Sequence, residues 1–228
     1  MTRHETGVAM KDDETKLLGQ IKDKLLASKL LWAKEGRLLT GQRGGDRLPP
    51  GQRLVKTWPV LDLGVKPEVT AKNWTLTVDG LIANPVTLDW AAFSDLRQTE
   101  SQSDIHCVTA WSRYDNRWRG VSVADLLDLV KPMAEARHVL FESYDGYTTN
   151  LPLTEFEVAD ALLATHWDGE PLTAEHGGPV RAVVPQLYFW KSAKWLRRIT
   201  FSAEDHPGFW EGRGYHNRGN PWGEERYG

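Results

Sequence analysis

Apolar and polar positions alternate most clearly at Trp74-Thr75-Leu76-Thr77-Val78-Asp79-Gly80, where every second side chain is apolar until a turn residue ends the run. A period of two predicts a strand with one buried face. Leu88 to Leu96 predicts a short helix opened by Asp89, and Ser103 to Thr109 a strand. Ser122 to Val130 predicts a helix with Ser122 as N-cap and Asp125 three residues on, the pairing that satisfies free N–H groups at a helix start. His138 to Ser143 predicts a strand turning at Asp145-Gly146. Thr154 to Thr165 predicts a helix, and Val180 to Val184 and Leu196 to Phe201 two more strands. Upstream, Leu17, Leu18, Ile21, Leu25 and Trp32 recur at helical spacing between lysines, predicting an amphipathic helix over Thr15 to Glu35. It is expected to dock on the domain's own surface, with a partner or membrane surface as the alternative. Residues 1 to about 13 read as a disordered tail, and Arg37 to Gln52 as a connector rich in Gly, Arg and Pro.

Short strands mixed with short helices, without a repeated βαβ pattern, predict an α+β fold of mixed β-sheets. The chain then divides into residues 1–53, a tail, amphipathic helix and connector, and residues 54–228, one folded domain. The aromatic stretch from Phe209 to Arg218 is expected to fold back over that domain.

Composition narrows the class. With 228 residues, 40% hydrophobic and 26% charged, the chain fits one large domain. A formal net charge of -3 gives no basic footprint for nucleic acid. No run of 18 apolar residues occurs, so no membrane span is expected. A single cysteine, and charges throughout the first 30 residues in place of an apolar signal core, point to the cytoplasm. One Cys with scattered His lacks zinc-ligand spacing, and no G-x-G-x-x-G follows a strand.

Two segments hold candidate chemistry. Cys107 ends a strand-like segment amid polar neighbours and cannot form an intramolecular disulfide. It is either a small core residue or a working thiolate. Adjacent strand positions face opposite sides, so His106 is not expected to act with it. The second segment, His176 to Ala203, contains no Asp or Glu but five Lys or Arg. Its Gly177-Gly178 turn, fixed cations and Ser192 offer donors and charge to a phosphate; otherwise Val180 to Val184 is a buried strand with solvated flanks.

Together these segments resemble the sulfite oxidase family of molybdenum–molybdopterin oxidoreductases. The resemblance covers roughly Leu54 to Tyr215. It rests on the strand-ending Cys107, on Asp145-Gly146-Tyr147 followed by Leu151-Pro152-Leu153, on Asp168-Gly169-Glu170-Pro171-Leu172, and on the block from His176 through Arg181 to Lys191-Ser192-Ala193-Lys194-Trp195. It implies the catalytic-domain fold of that family and a cysteine thiolate, Cys107, bound directly to molybdenum. It also implies a pterin phosphate held by His176, Arg181, Ser192 and Lys194, with Lys191 beside them. Asp62 falls near a position where some relatives touch the pterin. Tyr215, 21 residues after Lys194, falls at the spacing of an active-site tyrosine. Arg113 is the candidate cation on the substrate side. One or two of the 11 tryptophans are candidates to stack on the pterin.

The implied activity is two-electron oxygen-atom transfer to or from a small sulfur- or nitrogen-oxide substrate, with a separate protein as electron donor or acceptor. A soft thiolate suits a metal held by pterin sulfurs, and the protein's share is binding, orientation and electrostatics. The chain departs from sulfite-oxidising members: Val108 to Ser112 precede Arg113 after the cysteine, and the upstream region offers only Arg53 and Lys56. Two other readings of the residues stay open. A cysteine-nucleophile hydrolase would need one of His138, His166, His176, His206 or His216 near Cys107. A non-enzymatic aromatic-rich binding module would use Cys107 as core filler.

Overall fold

Two β-sheets share one apolar core, and the second face of one sheet builds another. The computed structural model describes residues 47–64 and 66–228, with Ala27 as the only described position before them. The predicted tail, the amphipathic helix and most of the connector lie outside the described residues.

The elements run in the order β1 (Arg53–Leu54), β2 (Thr75–Gly80), β3 (Val86–Asp89), α1 (Trp90–Asp95), β4 (Gln98–Cys107), β5 (Trp111–Ser122), α2 (Val123–Val130), β6 (His138–Ser143), β7 (Thr148–Pro152), α3 (Leu153–Phe156), β8 (Leu162–Trp167), β9 (Glu170–Pro171), β10 (Arg181–Val183) and β11 (Leu196–Ser202). One sheet has the order β1-β5-β8-β10, with β4 on β5 and β9 on β8; the other has the order β3-β2-β11-β6-β7. β1 lies parallel to β5 and β2 parallel to β11; every other pairing is antiparallel. The result is the mixed α+β architecture with few, short helices. Among the described residues no helix is long and apolar enough to cross a membrane.

Local chemistry explains several boundaries. Asp89 caps α1 by accepting from Ala92 N at 2.8 Å, and Ser122 caps α2 by accepting from Asp125 N at 3.1 Å. The helix expected from Leu88 starts at Trp90 because Leu88 and Asp89 still pair with β2. Gly80 ends β2 at φ 88°, and a Cβ there would stand 2.1 Å from Phe201 O, so the β2–β11 contact requires glycine.

One element is a different type from the one expected. The helix predicted over Thr154 to Thr165 is only Leu153–Phe156, and Leu162–Trp167 is strand β8. Leu162-Leu163-Ala164 looks helical because it is continuously apolar, and a strand buried on both faces has no alternation. Leu163 and Ala182 face the core shared with the second sheet, whereas Leu162, Ala164 and Val183 face a second apolar cluster with Trp58, Cys107 and Tyr188. This sheet is therefore a partition, and the second cluster contains the cysteine.

The C-terminal segment returns over that second cluster and is locked by an ion pair. Lys191 Nζ meets Glu211 Oε1 at 2.6 Å, and both side chains are sealed from solvent. Lys191 also donates to the carbonyls of Asn150 and Asn217 at 2.6 Å each. Glu211 Oε1 accepts further from Trp190 Nε1 at 2.9 Å and Thr149 Oγ1 at 3.0 Å. Breaking a buried pair from one side leaves an uncompensated charge, at a cost of about 3–5 kcal/mol. Lys191→Met alone is expected to lose about that much in urea unfolding, and Lys191→Met with Glu211→Gln to recover a large part of it. In the other core, Leu163→Ala is expected to cost roughly 2–5 kcal/mol by the same measurement.

Candidate functional site

The second cluster opens into a pocket of about 860 Å³, part of it continuous with solvent. Cys107 lines it from the end of β4, where the hairpin to β5 sets Cys107 opposite Trp111. The preceding residue turns the other way: His106 Nδ1 meets Ser112 Oγ at 2.8 Å, and its ring lies against Trp222. The hairpin turn is held from outside. Gln52 Nε2 donates to Cys107 O at 3.0 Å, and Arg226 Nη1 donates to Val108 O at 2.6 Å.

The acid-free segment supplies the cationic wall. Arg181 is 2% exposed, and its guanidinium donates only to carbonyl oxygens: His176 O at 2.7 Å, Ser192 O at 2.8 Å and Ala182 O at 3.3 Å. It lies over the rings of Phe189, at 4.3 Å, and Trp58, at 5.1 Å. Among the described residues it forms no ion pair with a carboxylate, and burial alone pulls it down to about 9. Lys194 lines the same pocket, donating to Glu175 O at 2.7 Å. Gly177, at φ 99°, lets the loop approach this lysine, since a Cβ there would stand 2.8 Å from Lys194 Cβ. Ser192 also lines the pocket, and its oxygen accepts from Val184 N at 2.9 Å.

His176 adjoins this wall. Its ring stacks on Trp58 at 3.9 Å and 7°, and its Nδ1 is buried with no hydrogen-bond partner among the described residues. Burial first, then the charges of Arg181 and Lys194, lower it to about 4. A buried cation without a carboxylate partner and a soft sulfur in one cavity, with an unpartnered imidazole nitrogen behind its Trp58 wall, fit a pterin that bears both a phosphate and a metal.

Aromatic rings form the remaining wall. Tyr215 is 4% exposed and lines the pocket, packed on Trp190 at 5.1 Å and Trp210 at 4.8 Å. Burial, with Tyr227 and Cys107 adding to it, pushes its phenol far above the usual range, so it is a neutral donor. Tyr147 OH donates to Trp190 O at 2.7 Å, tying this wall to β7.

Of the nine residues read from the sequence, Asp62, Cys107, Arg181, Ser192, Lys194 and Tyr215 line this pocket, and His176 stands on its Trp58 wall. Asp62 also closes a turn by accepting from Gly64 N at 2.9 Å. Two residues stand elsewhere. Lys191 is taken up by Glu211 and the carbonyls of Asn150 and Asn217, because the fold needs its charge inside. Arg113 is not a pocket residue: it pairs with Asp168 at 2.7 Å and lies over Trp167. Five tryptophans, Trp58, Trp111, Trp190, Trp195 and Trp210, line the pocket. Sequence reasoning did not single these out, because tryptophans scattered along the chain converge only in the fold. Gln52 and Arg226 gave no signal at all.

Comparison with known proteins agrees with this architecture. The family model described as oxidoreductase molybdopterin binding domain matches residues 63–210. The chain is 48% identical over 182 residues to the uncharacterized oxidoreductase YuiH of Bacillus subtilis (strain 168), covering 79% of this chain and 92% of that protein. It is 30% identical over 167 residues to a nitrate reductase (NADPH) of Beauveria bassiana, covering 60% of this chain and 18% of that one. It is 28% identical over 149 residues to the putative protein-methionine-sulfoxide reductase subunit YedZ1 of Azospira oryzae, covering 65% of this chain and 56% of that one. The sulfane dehydrogenase SoxCD of Paracoccus pantotrophus shares the fold, with a TM-score of 0.58 at 19% identity, over 69% of this chain and 46% of that one. The chain belongs to the molybdopterin-binding oxidoreductases of the sulfite oxidase family, enzymes whose cofactor is molybdenum–molybdopterin.

Proposed function

We propose that the pocket binds molybdenum through the Cys107 thiolate and the pterin phosphate through Arg181, His176, Ser192 and Lys194. In this reading the enzyme transfers an oxygen atom to or from a small neutral sulfur- or nitrogen-oxide substrate. The buried, carboxylate-free guanidinium of Arg181 supports it most strongly, because a cation at that depth needs an anion to complete it. When bound, the cofactor supplies two-electron redox chemistry and accepts or gives the oxygen atom.

The chain's own groups divide the remaining tasks. Arg181 meets the phosphate with N–H groups not engaged by carbonyls, and Lys194 adds a point charge. Ser192, whose oxygen is already an acceptor, turns its proton toward the phosphate. Trp58 and Phe189 exclude water around that contact. Tyr215 donates its proton as a hydrogen bond to the substrate oxygen without ionising. Arg181 and Lys194 are the lining cations and both serve the phosphate, while Arg113 is spent on Asp168. A divalent anion such as sulfite would lack partners beside Cys107, which favours a neutral oxide. The sulfoxide named for the Azospira oryzae relative is of that class. Electrons pass to or from a separate protein, and residues 54–228 form the catalytic domain.

The direct test is elemental analysis of protein made in a host that synthesises molybdopterin. Near-stoichiometric molybdenum with a visible thiolate-to-metal absorption is expected, the absorption vanishing in Cys107→Ala. No molybdenum and no pterin in either protein would reject the reading. Tyr215→Phe should keep its metal and lose roughly 10²-fold or more in kcat, the scale of a positioned proton donor; undiminished turnover would remove that role.

Alongside His106, which burial also lowers to about 4, His176 contributes to the pH dependence of the cofactor-free protein. Its folded value of about 4 lies below the ordinary 6.5, so the unfolded chain takes a proton that the folded chain refuses. The stability tied to neutral His176 is complete above about pH 6.5 and is lost as pH falls toward 4. Melting temperatures across this window are expected to fall less steeply in His176→Gln than in the parent.

A further inference from the structure

The turn after Cys107 brings a second polar side chain to its sulfur. β4 ends at Cys107 and β5 begins at Trp111, and Ala110 closes the turn between them at φ 67°, its N–H donating to Cys107 O at 3.0 Å. This folds Thr109 back until its Oγ1 stands 3.1 Å from Cys107 Sγ, and both residues line the pocket.

The contact is built rather than incidental, because the turn backbone is fixed on several sides. Cys107 O accepts from Gln52 Nε2 at 3.0 Å, Val108 O from Arg226 Nη1 at 2.6 Å, and Ala110 O from Arg53 N at 3.1 Å. Gln52 is itself tied to Ser112, whose Oγ reaches Gln52 Oε1 at 3.4 Å. Three of the carbonyls flanking Thr109 are thus engaged by groups from β1, the segment before it and the C-terminal tail. With the backbone held, the separation of Sγ and Oγ1 depends on two short side chains with few rotamers.

Proton bookkeeping fixes the direction of the bond. Between a thiol and a hydroxyl either group can donate. A thiolate has no proton, so Thr109 must be the donor whenever Cys107 is ionised or bound to a metal. A hydrogen bond into sulfur withdraws electron density from it, and a ligand sulfur so held gives less charge to its metal, favouring the reduced state.

We propose that Thr109 is a positioning residue for the redox centre. Its hydroxyl donates to the Cys107 thiolate, keeps that sulfur turned into the pocket and raises the reduction potential of the metal bound to it. The proposal rests on the assignment of Cys107 as the protein ligand.

Because the chain has one cysteine, thiol chemistry reports on this atom alone. In cofactor-free protein, alkylation of Cys107 by iodoacetamide is followed against pH. In Thr109→Val and Thr109→Ala the midpoint is expected about one pH unit higher than in the parent, the scale of a lost hydrogen bond to a charged group. Thr109→Ser should restore it. In metal-loaded protein, a redox titration followed by electron paramagnetic resonance should give a more negative molybdenum potential in Val and Ala, and the parent value in Ser. Unmoved midpoints in Val and Ala would refute the hydrogen bond. A moved thiol midpoint with an unmoved potential would refute the tuning of the metal. The assignment of Cys107 itself is judged separately: Cys107→Ala that keeps its metal and its visible absorption would reject the ligand, while the alkylation result still decides whether Thr109 donates to the sulfur.

Discussion

A guanidinium buried without an anion among the described residues is the constraint around which this pocket is organised. Arg181 sits at the start of β10, held by three carbonyl oxygens and two aromatic faces, and burial lowers its proton affinity. Leaving a charge in that state costs several kcal/mol unless a counter-charge arrives. Its surroundings are arranged for such an arrival. No acid occurs between His176 and Ala203, and Gly177 lets the loop close onto Lys194. Neutral His176 stands on the Trp58 wall. In the function proposed here a phosphate would supply the missing charge, and cofactor binding would then complete this part of the fold.

The sulfur reaches the same cavity by a different route. At β8 and β10 the β1-β5-β8-β10 sheet is buried on both faces, and the second face carries the cluster that contains Cys107. β4 runs antiparallel on β5, and their turn presents the thiol while Gln52 and Arg226 hold the turn's carbonyls. The C-terminal segment closes the opposite wall with Tyr215 and Trp210, and the Lys191–Glu211 pair keeps it there. Rigid supports around the proposed metal ligand and phosphate site are what an oxidoreductase needs when the cofactor does the chemistry.

Much of this was legible in the chain because the signals are local. Helix caps at Asp89 and Ser122, and alternation through β2 and β6, depend on neighbouring residues and survived folding. The resemblance read from Cys107 and the block from His176 to Trp195 pointed to the family that the comparisons show. What failed was non-local. β8 has no alternation because both its faces are covered, and so it read as helix. Lys191 looked like a phosphate ligand from its neighbours, yet its partner Glu211 lies 20 residues on. Arg113 looked free until Asp168 came beside it. The five pocket tryptophans and the supports of the cysteine turn come from distant segments, which no spacing rule connects.

X-ray absorption at the molybdenum edge of the purified protein, beside Cys107→Ala, tests the assignment of metal and ligand most directly. A bound metal whose sulfur shell loses one scatterer in Cys107→Ala is the result expected here. An identical sulfur shell in both proteins would show that the metal does not use Cys107 and would contradict the site proposed for this pocket.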